Sequence, residues 1–119
     1  MAHPLGSHYH IPHGVVCGLL LPYTMEYNLD YAVAKYAQVA RLLGVDTEGL
    51  STEEAARRAV EKVRELMEAL HIPAHLREFG VTKEGLGRII EESLPSGSLK
   101  HNPRPLGAED VRRILEAAL

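Results

Sequence analysis

The stretch STEEAARRAVEKVRELMEAL, Ser51–Leu70, decides the fold class. Ser51 and Glu54 make an S-x-x-E capping box, in which each side chain bonds the other residue's backbone N–H at a helix start. Ala56, Ala59, Val60, Val63, Leu66, Met67 and Leu70 then recur at the spacing of one helical face. Arg57, Arg58, Glu61, Lys62, Arg64, Glu65 and Glu68 fill the opposite face. Their signs interleave, so this is a solvated face with intrahelical pairs and not a nucleic-acid patch.

The same period extends outward on both sides. On the N-terminal side, Ala32, Tyr36, Val39, Ala40 and Leu43 share a face of a predicted helix over Leu29–Leu43, with Gly44 as its C-terminal cap. Another helix is predicted over Pro12–Tyr27, where proline suits the first turn. Its Val15, Val16, Cys17, Leu19, Leu20 and Leu21 leave no polar face, which predicts a central helix covered on most sides. Pro22 is expected to kink or split it. On the C-terminal side, Pro73 opens a short helical turn that closes at Gly80, and a fourth helix after Thr82 carries Leu86, Ile89, Ile90 and Leu94. Pro95–Gly107, PSGSLKHNPRPLG, reads as a loop. A last helix over Ala108–Ala118 turns Val111, Ile114 and Leu115 inward, with Glu109 and Asp110 suited to its first turn. Five helices and no strand predict an all-α, multihelical fold, one domain over residues 1–119.

Composition narrows the class. The chain has 119 residues, 45% of them apolar and 24% charged, which fits a globular domain and not a disordered one. With five Tyr, one Phe and no Trp, the core is built from Leu, Val, Ile and Ala. A net charge of −3 gives no electrostatic reason to expect nucleic acid. The longest apolar run, Val15–Leu21, is far short of the roughly 20 residues of a membrane span. One cysteine, no internal disulfide and no signal peptide place the chain in the cytoplasm.

Chemistry concentrates at the N-terminus. Residues 1–14, MAHPLGSHYHIPHG, hold four of the seven histidines: His3, His8, His10 and His13. Pro4, Gly6, Pro12 and Gly14 read as a loop that aims side chains before a helix. His13 at the helix start is a candidate metal ligand, since imidazole is the commonest one. His3 reaches the same pocket if residues 4–12 fold as a turn, while His8 and His10 flank Tyr9 in an extended reading. The spacing matches no compact zinc signature, so a solvated histidine-rich tail stays open as the alternative. Cys17, four residues after His13, shares its helical face; a lone cysteine among Val and Leu is more often a small core residue. His71 and His75 stand four apart but with Pro73 between them. Tyr23, Tyr27, Tyr31 and Tyr36 read as a packing stripe, and Arg104 of the NPR segment is free to bond carbonyls or the last helix.

Taken together, AHPLGSHYHIPHGVVCGLLLPYTMEYN (Ala2–Asn28) resembles the metal-binding signature of the iron-containing alcohol dehydrogenase family. The matching pieces are His3-Pro4-Leu5-Gly6, Pro12-His13-Gly14, Leu21-Pro22 and Asn28. Lys35–Gly44, Leu70–Val81 and NPRPLGAEDVRRIL near the C-terminus follow in the family's order, so the resemblance covers essentially the whole chain. It implies that His13 ligates a catalytic divalent metal, iron or in some members zinc, and that His3 lies beside metal and nicotinamide with a proton-transfer or positioning role. It implies hydride transfer between NAD(P) and an alcohol or aldehyde, with the metal polarising the substrate oxygen.

The resemblance also implies what these residues lack. The family carries an α/β nucleotide-binding domain with a glycine-rich loop, and no strand–glycine loop–helix unit occurs here. Its metal site takes an aspartate and two further histidines from positions before residue 1, and Cys17 stands where many members have asparagine. One ligand does not hold a divalent ion usefully. The expectation is therefore a C-terminal part of the family's helical domain, inactive alone and binding neither iron, zinc nor NAD(P) stoichiometrically. It is expected either to self-associate or to work with a complementary chain that supplies the nucleotide domain and the other ligands.

Overall fold

The computed structural model describes residues 1–119 and contains no strand. Seven α-helices follow in order: α1 Ala2–Tyr9, α2 His13–Asn28, α3 Val33–Leu42, α4 Thr52–Ala69, α5 Leu86–Ser93, α6 Gly97–His101 and α7 Ala108–Ala118. Short 3-10 turns stand at Leu29–Tyr31, Leu76–Phe79 and Lys83–Gly85. The all-α reading holds, and the helix count rises from five to seven.

The capping box forms as the sequence dictates: Glu54 N–H donates to Ser51 Oγ at 3.2 Å and Ser51 N–H donates to Glu54 Oε2 at 3.4 Å. Gly44 closes the α3 end at φ +87°, a conformation that favours glycine, and Val45 N–H then donates back to the Ala40 carbonyl at 3.0 Å.

Four expectations are corrected. Residues 2–9 form helix α1 and not a loop, because Pro4 stands in the first turn, where its missing N–H has no intrahelical partner to lose. Pro22 does not split α2, which runs unbroken from His13 to Asn28: it removes one bond, to the Gly18 carbonyl, and the residue is buried. That helix is covered on most sides, with Val16, Leu19 and Leu20 buried, but Cys17, for which a core position is the commoner expectation, is exposed, and Leu21 is 43% exposed. Finally, the predicted loop over residues 95–107 holds the five-residue helix α6, started by Ser96, whose Oγ accepts from Ser98 N–H at 3.3 Å.

Two apolar clusters share α2. The larger joins Leu5 of α1, Val16 and Leu19 of α2, Leu86 and Ile89 of α5, and Val111, Ile114 and Leu115 of α7. The smaller joins Met25 of α2, Ala40 of α3, and Ala59, Val60 and Val63 of α4. The molecule is elongated accordingly, 44 × 30 × 20 Å with a radius of gyration of 14.7 Å, where about 13.5 Å is usual for this length. Along the small cluster runs an open apolar groove of about 510 Å³, whose walls include Leu21, Val39, Leu43, Leu66 and Met67. No helix is long and apolar enough to cross a membrane.

Candidate active-site edge

The histidines are placed by a reversal between α1 and α2. His10 turns the chain in the left-handed region, φ 57° and ψ 34°, and Pro12 then sets up the start of α2 at His13. The two segments pass so closely that a Cβ on Gly6 would sit 3.1 Å from the Ile11 carbonyl oxygen, which explains a glycine inside α1. Leu5 and Ile11 are buried beneath this corner.

The reversal brings His3 and His13 to one shallow cavity of about 240 Å³, lined also by Ala2, Gly6, Ser7 and Ile11. Gly14 leaves the space beside it open. The other two N-terminal histidines go elsewhere. His8 Nε2 lies 2.6 Å from Glu92 Oε2 and ties α1 to α5, and His10 is exposed at the reversal. The extended, shared-face reading of His8 and His10 is therefore overturned by the helix. The His8 hydrogen bond, with Arg88, which also bonds Glu92, holds the Glu92 carboxyl below its ordinary range.

Cys17, one turn after His13, places its Sγ 3.4 Å from His13 Nε2. It is exposed and not a core residue. No group of three or more His, Cys, Asp or Glu side chains converges anywhere in the 119 residues. The residues present thus fit one edge of a metal centre, not a complete one. His71 and His75 do not join: His71 is exposed at φ 58°, and His75 Nδ1 lies 3.5 Å from the Tyr23 hydroxyl, which itself donates to the Ala74 carbonyl at 2.6 Å.

At the far end of α2 the NPR segment is fastened down. Arg104 lies between the rings of Tyr27 and Tyr31, 4.4 and 4.5 Å from their centroids. It also donates to Asp110 Oδ1 at 3.4 Å and to the Tyr27 carbonyl at 3.5 Å. The side-chain amides of Asn28 and Asn102 bond each other reciprocally at 2.8 and 2.6 Å, and Asn28 is only 2% exposed. This pairing escapes sequence reasoning because its partners are 74 residues apart.

The Tyr27 hydroxyl donates to Asp110 Oδ1 at 2.5 Å, and Gly107 N–H donates to Oδ2 at 2.8 Å. The Tyr27 bond, then the Gly107 amide and Arg104, lower the Asp110 carboxyl below its usual 3.8. A depressed folded-state value contributes stability that is complete well above pH 3.8 and fades as pH falls through it. Acid titration of unfolding should therefore lose stability on going below about pH 4, and Asp110→Asn should flatten that slope. An unchanged slope in Asp110→Asn would assign the acid sensitivity elsewhere.

All 119 residues match the model of the Fe-containing alcohol dehydrogenase family, C-terminal. The chain belongs to the iron-containing alcohol dehydrogenase family. It is 43% identical over 118 residues to lactaldehyde reductase of Escherichia coli (strain K12) and 37% identical to 1,3-propanediol dehydrogenase of Citrobacter freundii. Those matches cover 99% of this chain and 31% and 30% of the relatives. The fold superposes on a crystal structure of 1,3-propanediol oxidoreductase with a TM-score of 0.95 at 36% identity, and on an alcohol dehydrogenase from Oenococcus oeni with 0.93 at 39%. Each superposition covers 99% of this chain and 31% of the other. The chain thus spans about a third of the length of these relatives, and its all-helical fold includes none of the α/β nucleotide fold.

Proposed function

We propose that these residues form the metal-side, C-terminal part of an NAD(P)-dependent alcohol or aldehyde oxidoreductase. In this reading His13 contributes one imidazole to a divalent iron or zinc centre. His3, on the same cavity, orients substrate or moves a proton beside it. The observation that carries the reading is the convergence of His3 and His13, ten residues apart in sequence, on one cavity. The chain's own work is to set the backbone that carries both imidazoles: the corner between α1 and α2 is anchored by the buried Leu5 and Ile11.

In the same reading the 119 residues alone turn over no alcohol and hold neither metal nor nucleotide stoichiometrically. A complementary chain supplies the nucleotide domain and the remaining ligands in the cytoplasm; without one, a second copy covers the apolar groove. The support is physical: Leu21 and Leu66, 43% and 44% exposed, line one open apolar groove, and such patches are usually covered.

The test is co-expression with the preceding part of the E. coli lactaldehyde reductase, followed by metal analysis and an NAD(P)-linked assay on short alcohols and diols. The expected result is turnover by the pair and by neither piece alone, with His13→Ala losing metal and turnover together. Turnover by the 119 residues alone would end the partner requirement. An active pair indifferent to His13→Ala would remove His13 from the chemistry.

A further inference from the structure

Gly85 has no backbone reason to be a glycine. It closes the Lys83–Gly85 turn at φ −76° and ψ −15°, right-handed helical angles that any residue adopts and alanine prefers. What excludes a side chain is Tyr9. A Cβ on Gly85 would overlap the Tyr9 hydroxyl oxygen, whereas the next nearest atoms, Thr82 Oγ1 and Tyr9 Cζ, would stand at an ordinary 3.6 Å. One oxygen atom of α1 thus accounts for the glycine. The seat is firm: Gly85 N–H donates to the Thr82 carbonyl at 3.1 Å, and Leu86, next in the chain, is fully buried in the larger cluster.

Tyr9 ends α1, four residues after the buried Leu5 and on the same helical face, and packs on the same cluster. Immediately beyond it His10 reverses the chain toward His13. A helix held at Leu5 alone is free to roll or slide, and a slip of one residue turns every side chain by about 100°. Such a turn carries His3 off the cavity it shares with His13. The His8–Glu92 contact joins partly exposed side chains and resists a roll less than a seated ring does. We infer that Tyr9 is a positioning residue for His3: its ring, seated on the bare Cα of Gly85, fixes the rotation and axial setting of α1 and thereby the place of the His3 imidazole beside His13. This rests on the role proposed for His3 and adds the two residues that hold it in place.

Nuclear magnetic resonance of the histidine rings in the 119-residue chain tests this, with the His3 resonances assigned by their loss in His3→Gln. Gly85→Ala should push the Tyr9 hydroxyl aside and displace the His3 resonances. Adding Tyr9→Phe removes the one oxygen in the way and should bring them back, while Tyr9→Phe alone should leave them in place. General loss of packing predicts no such return, because the second change only deletes an atom. If Gly85→Ala does not fold, the double variant should still fold and show the His3 resonances of the unaltered chain; a double variant that does neither would overturn the inference. Unmoved His3 resonances in folded Gly85→Ala would overturn it as well, assigning the setting of α1 to Leu5 and the His8–Glu92 contact. So would displaced resonances that Tyr9→Phe does not restore. The role of His3 is judged separately: an active co-expressed pair indifferent to His3→Gln would end that role, whereas the resonances of the chain alone decide the seat.

Discussion

Leu5→Ala should destabilise the chain by about 2–5 kcal/mol, the range for emptying a buried leucine site. Leu5 is fully buried, on the inner face of α1, and packs in the larger cluster with α2, α5 and α7. The helix it anchors has eight residues with Pro4 and Gly6 among them, too short to persist without packing. Loss of this contact should therefore free α1 as a unit, carrying His3 away from His13. Urea unfolding checks the first part, and the chemical-shift response of the two imidazoles checks the second. Leu5→Met, which conserves volume, should cost less than about 1.5 kcal/mol. A loss in Leu5→Ala below about 1 kcal/mol would mean that α1 docks as a loosely held arm, outside the cooperative core.

The second large effect is expected at the buried amide pair. Asn28→Ala removes one partner and leaves the Asn102 amide without two of its bonds, while Asn102 Nδ2 keeps only the Arg104 carbonyl at 2.7 Å. An orphaned polar group of this kind costs about 1–3 kcal/mol, whereas removing both partners costs much less than the sum. The double change Asn28→Ala with Asn102→Ala should thus show a favourable coupling of at least about 0.5 kcal/mol. Additive single and double effects in urea unfolding would show that the two amides do not depend on each other.

Local signals carried the fold where they were self-sufficient. The α4 start is written in Ser51 and Glu54, and its buried face in Ala56, Ala59, Val60 and Val63, so nothing distant was needed. Helix α1 was illegible for the opposite reason. Pro4 and Gly6 are loop residues by propensity, and only the tertiary contacts of Leu5 and the close pass of Gly6 against Ile11 make them helical. The reversal is made by His10, a residue with no turn signature. At the site, the motif pieces named His3 and His13, but their meeting on one cavity depends on that reversal. The contact from His8 to Glu92 likewise follows from helix placement, whereas the neighbourhood of His13 and Cys17 is written in their spacing of four within one helix.

The sharing of α2 between two apolar clusters has a mechanical consequence. The α3–α4 hairpin rests on the smaller cluster, which meets α2 around Met25 and, through Met67, at Gly18. Such a unit opens at lower free energy than the body to which it is attached. Thermal motion is thereby partitioned along one rod: its far end gives way with the hairpin, while the end bearing His13 stays clamped among α1, α5 and α7.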